Sequence, residues 1–518
     1  MNEKKNFIIN FISQIMVLIV NICINFFVTP YIIEKLGASS YGFVGLANEF
    51  IGYAQIITIA LNSMASRFII LKFHEKDYEG ANKFFNSVFF ANILICCIIG
   101  FAGIFVVLFI DKLVSVPKEI LFDVQLLWTL MFLNFLVSII TSVFGVATFA
   151  KNKLYLSSAR QIESQILRSL LLLVCFYFLP PATWYIGLAI LASTMLVSLY
   201  NYKYIKKLTP EIKINIKYFD KKSLLEVLAS GIWNTITKLS SLLSSGLDLL
   251  ITNKFVGSTA MGILSLSKTL PNALLSAFGS LSSVFAPELT YSYAKKKYDD
   301  IKSQLVFSIK VLGFLTSIPM AILFAYGIEF YHLWTPSQDA ILLYTLTVIT
   351  CFSFVLTMPL EPLWNVFTVA NKVKQSSIFL ITFSFITIAI VMLIIPFVTD
   401  VNTKLYVIAG VSTIFAVLRS LTFLPLYGAK CLNLKPWSFY PIIFKTTCST
   451  AILTVISLGI KKVFVINSWF MLIVASLITS IFAIIINIII IFNKKDRKDL
   501  IEMLCSIFRR RKNDEQNS

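Results

Sequence analysis

Histidine, charge and long polar loops are all scarce in these 518 residues, and each scarcity closes a class of function. The chain has 2 histidines, and His74 and His332 fall near opposite membrane faces, so no histidine metal centre or Ser/His/Asp triad is available. No Gly-x4-Gly-Lys-Ser/Thr loop is found, so the chain is not expected to hydrolyse ATP itself. The 8 cysteines are scattered, mostly inside apolar stretches and without metal or redox spacing, and read as small packing residues. Charged residues make up 14% of the chain, where a soluble protein carries about a quarter. The outer connections are short: Pro180-Pro181-Ala182-Thr183-Trp184 joins two apolar stretches directly, leaving no room for an external catalytic domain. The paired carboxylates that a lipid-dependent glycosyltransferase needs in such a loop are missing too. Neither catalysis nor a cofactor is expected.

Apolar sequence is what the chain has in abundance: 57% hydrophobic residues and a mean hydropathy of +0.82. A helix crossing roughly 30 Å of hydrocarbon takes about 20 residues. Fourteen stretches qualify, near 7–31, 42–70, 84–110, 121–149, 161–180, 184–201, 224–253, 258–288, 303–330, 338–370, 376–397, 405–427, 441–460 and 468–492. The tenth is long enough to need a bend or tilt. The first is too long for a signal peptide and lacks a small-residue cleavage site, so it is expected to remain as a span.

The spans repeat. Gly37-Ala-Ser-Ser-Tyr-Gly42 returns 220 positions later as Gly257-Ser-Thr-Ala-Met-Gly262, and the same offset pairs Gln14 with Asn234, Leu46 with Leu266 and Tyr78 with Tyr298. Six spans separate the copies, an even number, so both halves enter from the same side, as in transporters made of parallel repeats. The expected fold is an all-α polytopic membrane protein of about fourteen transmembrane helices. Two six-helix bundles, 1–202 and 224–428, flank an inner loop, 203–223. Helices 13 and 14 (429–493) and a basic tail (494–518) follow. Within the tail, Leu500, Ile501, Leu504 and Phe508 share one helical face before Arg509-Arg-Arg-Lys512, which fits an interfacial helix.

A net charge of +19 invites a nucleic-acid reading, but its distribution does not. With both termini inside, inner loops and tails hold 32 lysines and arginines and outer loops hold 7. That asymmetry is the positive-inside pattern. It makes the charge a matter of topology, with anionic lipids rather than nucleic acid as partners.

Ionisable groups inside spans usually face a bundle interior or a wet cavity. The basic ones are Arg67, Arg168, Lys238, Lys268, Lys310 and Arg419; the acidic ones include Glu49, Asp248, Glu288 and Glu361. Near mid-membrane the balance is positive, and Lys238, Lys268 and Arg419 lie too deep to reach headgroups easily. A basic cavity with apolar walls suits an anionic substrate. Arg67, Lys310 and Glu288 have a second reading, as groups that extend to the inner headgroups. Spans 1 and 7, which correspond in the repeat, are unusually polar. Asn21, Asn25 and Asn234, with Asn272 beside Pro271 in span 8, read as cavity lining, with interhelical hydrogen bonding as the alternative. Asp248 and Glu49 are candidates for ion coupling through H+ or Na+; Asp248 has a second reading, as a neutraliser of Lys238.

Leu36-Gly-Ala-Ser-Ser-Tyr-Gly-Phe-Val-Gly-Leu-Ala47 resembles the LG-x-x-x-YG turn of bacterial polysaccharide-repeat flippases, and 248–262 is similar to the corresponding stretch after span 7, with Met261 at the usual tyrosine. These flippases belong to the multidrug/oligosaccharidyl-lipid/polysaccharide exporter superfamily. The resemblance implies a multi-pass protein of the bacterial cytoplasmic membrane. It would move undecaprenyl-pyrophosphate-linked oligosaccharide from the inner to the outer leaflet by alternating access, alongside polysaccharide polymerase machinery. On that expectation the basic cavity receives the pyrophosphate and polar spans 1 and 7 receive the sugars. The alternatives are a cation-coupled multidrug exporter of the same superfamily, a membrane-embedded polymerase and a non-transporting scaffold.

Overall fold

The computed structural model describes residues 2–151, 153–245, 247–283, 285, 289, 293, 298–370, 372–493 and 496–497. Every regular element among them is a helix. The principal ones are α1 Asn2–His74, α2 Tyr78–Leu108, α3 Leu121–Ser142, α4 Leu154–Phe178, α5 Trp184–Leu208, α6 Lys221–Ser245, α7 Asp248–Phe255, α8 Ser258–Ser267 and α9 Thr269–Ser283. There follow α10 Tyr298–Trp334, α11 Ala340–Phe352, α12 Pro362–Val369, α13 Val373–Ile394, α14 Val401–Leu421, α15 Phe423–Cys431, α16 Tyr440–Val463 and α17 Trp469–Ile490.

Among the described residues 11 helices are long and apolar enough to cross a membrane. Local chemistry accounts for the difference from fourteen. Expected spans 1 and 2 form the single element α1, bent at Gly37 (φ 79°, ψ 165°). Span 7, in α6, is diluted by asparagine, threonine, serine and lysine. Span 8 breaks at Lys268, because Pro271 has no N–H to return to the Ser267 carbonyl; the next amide, that of Asn272, reaches the Lys268 carbonyl at 2.9 Å. The tenth expected span is likewise interrupted, into Ala340–Phe352, Phe354–Thr357 and Pro362–Val369.

The repeat is visible in the backbone. Gly37 and Gly257, 220 positions apart, are the two glycines with positive φ among the described residues, at 79° and 125°. That region of backbone space is open to glycine at little steric penalty. Five residues on from each, Gly42 and Gly262 pack against one another, and a Cβ on Gly42 would lie 2.7 Å from the Gly262 Cα.

The chain packs as two compact units, residues 1–267 with 374–408, and residues 268–373 with 409–518. Helices α6, α7, α8 and α13 therefore pack with the N-terminal helices. The core of the first unit is built on Leu61, Ile69, Phe85, Phe144 and Val227. That of the second uses Leu305, Ile309, Phe367, Phe439 and Ile442. Outward faces stay apolar: α17 exposes Ile473, Leu477 and Ile481 at four-residue spacing, one stripe of the helix.

Lipid removes most of the hydrophobic drive for helices to associate, so close packing and polar contacts gain weight. In the second unit Asn487 of α17 donates to Ser317 Oγ on α10 at 2.7 Å and accepts from Ser449 of α16. Lys461 of α16 pairs with Glu329 of α10 at 2.8 Å. Lys310 pairs with Asp496 at 2.6 Å. Glu288 and the expected tail helix at 499–508 lie outside the described residues. The loop between α5 and α6 is stitched to α2 by two asparagines one turn apart. Asn82 donates to the Glu211 carbonyl and accepts from the Lys213 amide, while Asn86 donates to the Lys213 carbonyl and accepts from the Asn215 amide, at 2.7–2.8 Å.

Candidate functional site

The in-span cations occupy several distinct settings. In the first unit, Lys238 lies half-buried on α6 and has no hydrogen-bond or ion-pair partner among the described residues. Its helix is fixed by neighbours on the same side: Thr237 and Ser377 share a hydrogen bond of 3.1 Å, and Ser384 donates to the Ser240 carbonyl at 3.1 Å. One turn before Lys238, Asn234 donates to Ser63 Oγ at 3.0 Å. Asn21 and Asn25 bond to each other along α1, Nδ2 to Oδ1 at 2.6 Å. Arg67 is exposed near the end of α1.

Arg168 borders a partly open cavity of about 290 Å³ lined by α3, α4 and α5. Serine and threonine supply much of its wall, and Arg168 is its one charged residue. Neither Lys238 nor Arg67 lines it. The guanidinium has no ion pair or hydrogen bond among the described residues, while the phenol of Tyr41, from the repeated motif, lies within electrostatic range. The nearby Arg160 is already neutralised by Glu163 and stacks 4.4 Å over Tyr200.

The candidate coupling groups do converge. Glu49 of α1 and Asp248, buried at the first turn of α7, both act electrostatically on Tyr53. The first turn is a favourable place for a carboxylate, because the helix N-terminus carries partial positive charge.

In the second unit, Lys268 sits at the break between α8 and α9, and Asn272 is exposed one turn on. Arg419 of α14 lies over the Trp364 ring at 5.8 Å and within electrostatic reach of Glu361 at the start of α12. Buried polar atoms without a hydrogen-bond partner, Thr357 Oγ1, Asn365 Nδ2 and Ser412 Oγ, lie on the same two stretches of chain. Sequence reasoning had noted Glu361 without giving it a role beside Arg419, and it missed Gln165 and Asn201 in the Arg168 cavity. The signal for these two was available: Gln165 precedes Arg168 by three residues, and Asn201 follows Ser193, Val197 and Ser198 along one helical face.

The fold is similar to that of solved transporters of the MOP superfamily. An inward-facing multidrug-resistance MATE transporter of that superfamily superposes with a TM-score of 0.66 at 15% identity, over 82% of this chain and 98% of that one. The lipid II flippase MurJ, in an inward closed conformation, gives 0.63 at 15% identity over 96% and 99% of the two chains. Residues 5–292 match the family model described as polysaccharide biosynthesis protein, and the chain belongs to that family. The uncharacterized membrane protein EpsK of Bacillus subtilis (strain 168) is 26% identical over 493 residues, 95% of this chain and 97% of EpsK. The chain is thus a member of the polysaccharide biosynthesis protein family whose described residues include 11 helices long and apolar enough to cross a membrane.

Proposed function

We propose that this protein moves undecaprenyl-pyrophosphate-linked oligosaccharide repeat units from the inner to the outer leaflet of the bacterial cytoplasmic membrane by alternating access. In this reading 1–202 and 224–428 are the duplicated halves of the transporter, with 203–223 and both termini cytoplasmic. The polysaccharide biosynthesis family membership supports the cargo class. The observation that carries the reading is Lys238, a half-buried ammonium inside a span with no partner among the described residues. A lone cation at mid-membrane costs about 3 kcal/mol, and such groups usually serve a substrate path. A pyrophosphate entering beside it restores the missing counter-charge through charge-assisted hydrogen bonds. In the first unit Asn234 adds hydrogen-bonding capacity for sugars; in the second unit Lys268 and Arg419 supply positive charge and Asn272 hydrogen-bonding capacity. Anionic lipids meet the inner basic loops, polysaccharide polymerase machinery takes the delivered repeat unit, and Glu49 with Asp248 holds the coupling H+ or Na+.

The test is flipping of a fluorescent lipid-pyrophosphate oligosaccharide by the full chain in sealed vesicles. Lys238→Gln is expected to lower the rate at least tenfold, on the scale of losing one charge-assisted contact. A Lys238→Gln/Lys268→Gln protein that flips normally would remove these residues from the site and leave the function standing. No flipping across several glycan donors, with export of cationic dyes instead, would move the protein to the multidrug exporters.

A further inference from the structure

The Arg168 cavity asks for a ligand that the pyrophosphate reading does not supply. It is a partly open cavity lined by three consecutive helices, Leu121–Ser142, Leu154–Phe178 and Trp184–Leu208, and holds about 290 Å³. That is room for roughly ten waters at about 30 Å³ each, far more than a halide or one bare phosphate fills. One guanidinium supplies all of its charge, and no carboxylate lines it. Gln165 Oε1 and Asn201 Oδ1 are buried there without a hydrogen-bond partner. Whichever way each carboxamide is turned, it offers both donor and acceptor to something that carries hydroxyls. Thr141 and Ser198 share a 2.8 Å hydrogen bond at the wall and leave further acceptor capacity.

Shifted by 220, the offset that pairs Gly37 with Gly257, the positions of Gln165, Arg168, Ser198 and Asn201 fall on Phe385, Ile388, Leu418 and Leu421, so these polar residues are not repeated there.

Resting on the flippase reading, we infer that the cavity is a subsite for one acidic sugar unit of the carried glycan. The carboxylate takes the planar fork of Arg168, and the ring hydroxyls take Gln165, Asn201 and the hydroxyl wall. Charge matching favours a sugar carboxylate, since one guanidinium balances its single negative charge whereas a phosphate ester carries more. The size of the cavity matches one sugar ring. A guanidinium fits a carboxylate bidentately, and the surrounding neutral donors and acceptors then discriminate sugar from simple anion.

The experiment uses the full chain in nanodiscs with free glucuronate as probe, followed by saturation-transfer NMR and by competition. Glucuronate is expected to bind weakly but measurably, with glucose and the methyl ester of glucuronate at least about tenfold weaker. Arg168→Gln should abolish that binding, and Arg168→Lys, which keeps the charge and loses the fork, should recover part of it. Should Arg168→Gln fail to fold, Asn201→Leu fills the hollow without touching the charge, and is expected to weaken glucuronate likewise. Equal binding to wild type and variants overturns the inference, as does the absence of binding to wild type. Inorganic phosphate or chloride displacing glucuronate at lower concentrations than it binds overturns the sugar assignment in favour of a bare anion site. The flippase reading is scored apart, on the wild-type chain: failure to flip any lipid-pyrophosphate oligosaccharide, acidic or neutral, overturns that reading, whereas failure of glucuronate to bind overturns the subsite alone.

Discussion

A methyl group at residue 42 has nowhere to go. The added Cβ would sit 2.7 Å from the Gly262 Cα, and backbone cannot swing aside as a side-chain tip does. Gly42→Ala is therefore expected to destabilise the first unit by about 1–3 kcal/mol, the usual range for overpacking. A thermal unfolding midpoint of the detergent-solubilised protein that does not fall would show that the two helices separate easily. In the other unit the sensitive residue is Asn487, whose side chain joins α17 to both α10 and α16. Asn487→Leu takes the acceptor from Ser449 and the donor from Ser317, which keeps its own bond to the Phe314 carbonyl. Membrane hydrogen bonds average about 0.6 kcal/mol, so a loss near 1 kcal/mol is the expected result. An unchanged midpoint would mean that packing alone holds α17. The sequence exposed the glycines of the repeat, because a fixed offset is a pattern. It did not expose Asn487, because one asparagine in an apolar span looks the same whether it faces lipid, water or a partner helix.

Between residue and molecule, the loop after α5 shows how an alternating stretch is held. Glu211-Ile-Lys-Ile-Asn-Ile-Lys-Tyr218 alternates apolar and polar residues and ends in a 3-10 turn over Ile216–Tyr218. Ahead of that turn its backbone offers donors and acceptors to α2. Asn82 and Asn86, one helical turn apart on α2, capture those of residues 211, 213 and 215. Four such bonds at about 1 kcal/mol each are enough to hold the segment against α2. Asn82→Ala/Asn86→Ala should free it, and trypsin should then cut after Lys213 or Lys217 at least about tenfold faster, since cleavage follows the population of the open state. Unchanged cleavage would show that the loop is held by Ser87 and Asp220 instead, which exchange hydrogen bonds of 2.8–2.9 Å.

At the scale of the whole chain, apolar length and charge asymmetry made the helical fold legible, while the two compact units were not. Packing α13 with α6 depends on contacts such as Ser384 with Ser240, 144 residues apart, which hydropathy does not record. The same limit applied to the acidic residues. Glu49 and Asp248 were separate candidates in sequence, and Tyr53 is the group on which both act. If Glu49 and Asp248 together form an oxygen-ligand cage for the coupling ion, Asp248→Asn should leave flipping down a substrate gradient within a few-fold of wild type while removing its response to an imposed H+ or Na+ gradient. The split is the informative part. Loss of both activities would mean that Asp248 serves the structure of α7, where it occupies the first turn and its backbone carbonyl accepts from Thr252 at 2.7 Å. An intact gradient response in Asp248→Asn, and then in Glu49→Gln, would exclude the cage and leave the drive to membrane potential or to removal of the flipped product, because neither of these needs a bound cation at that position.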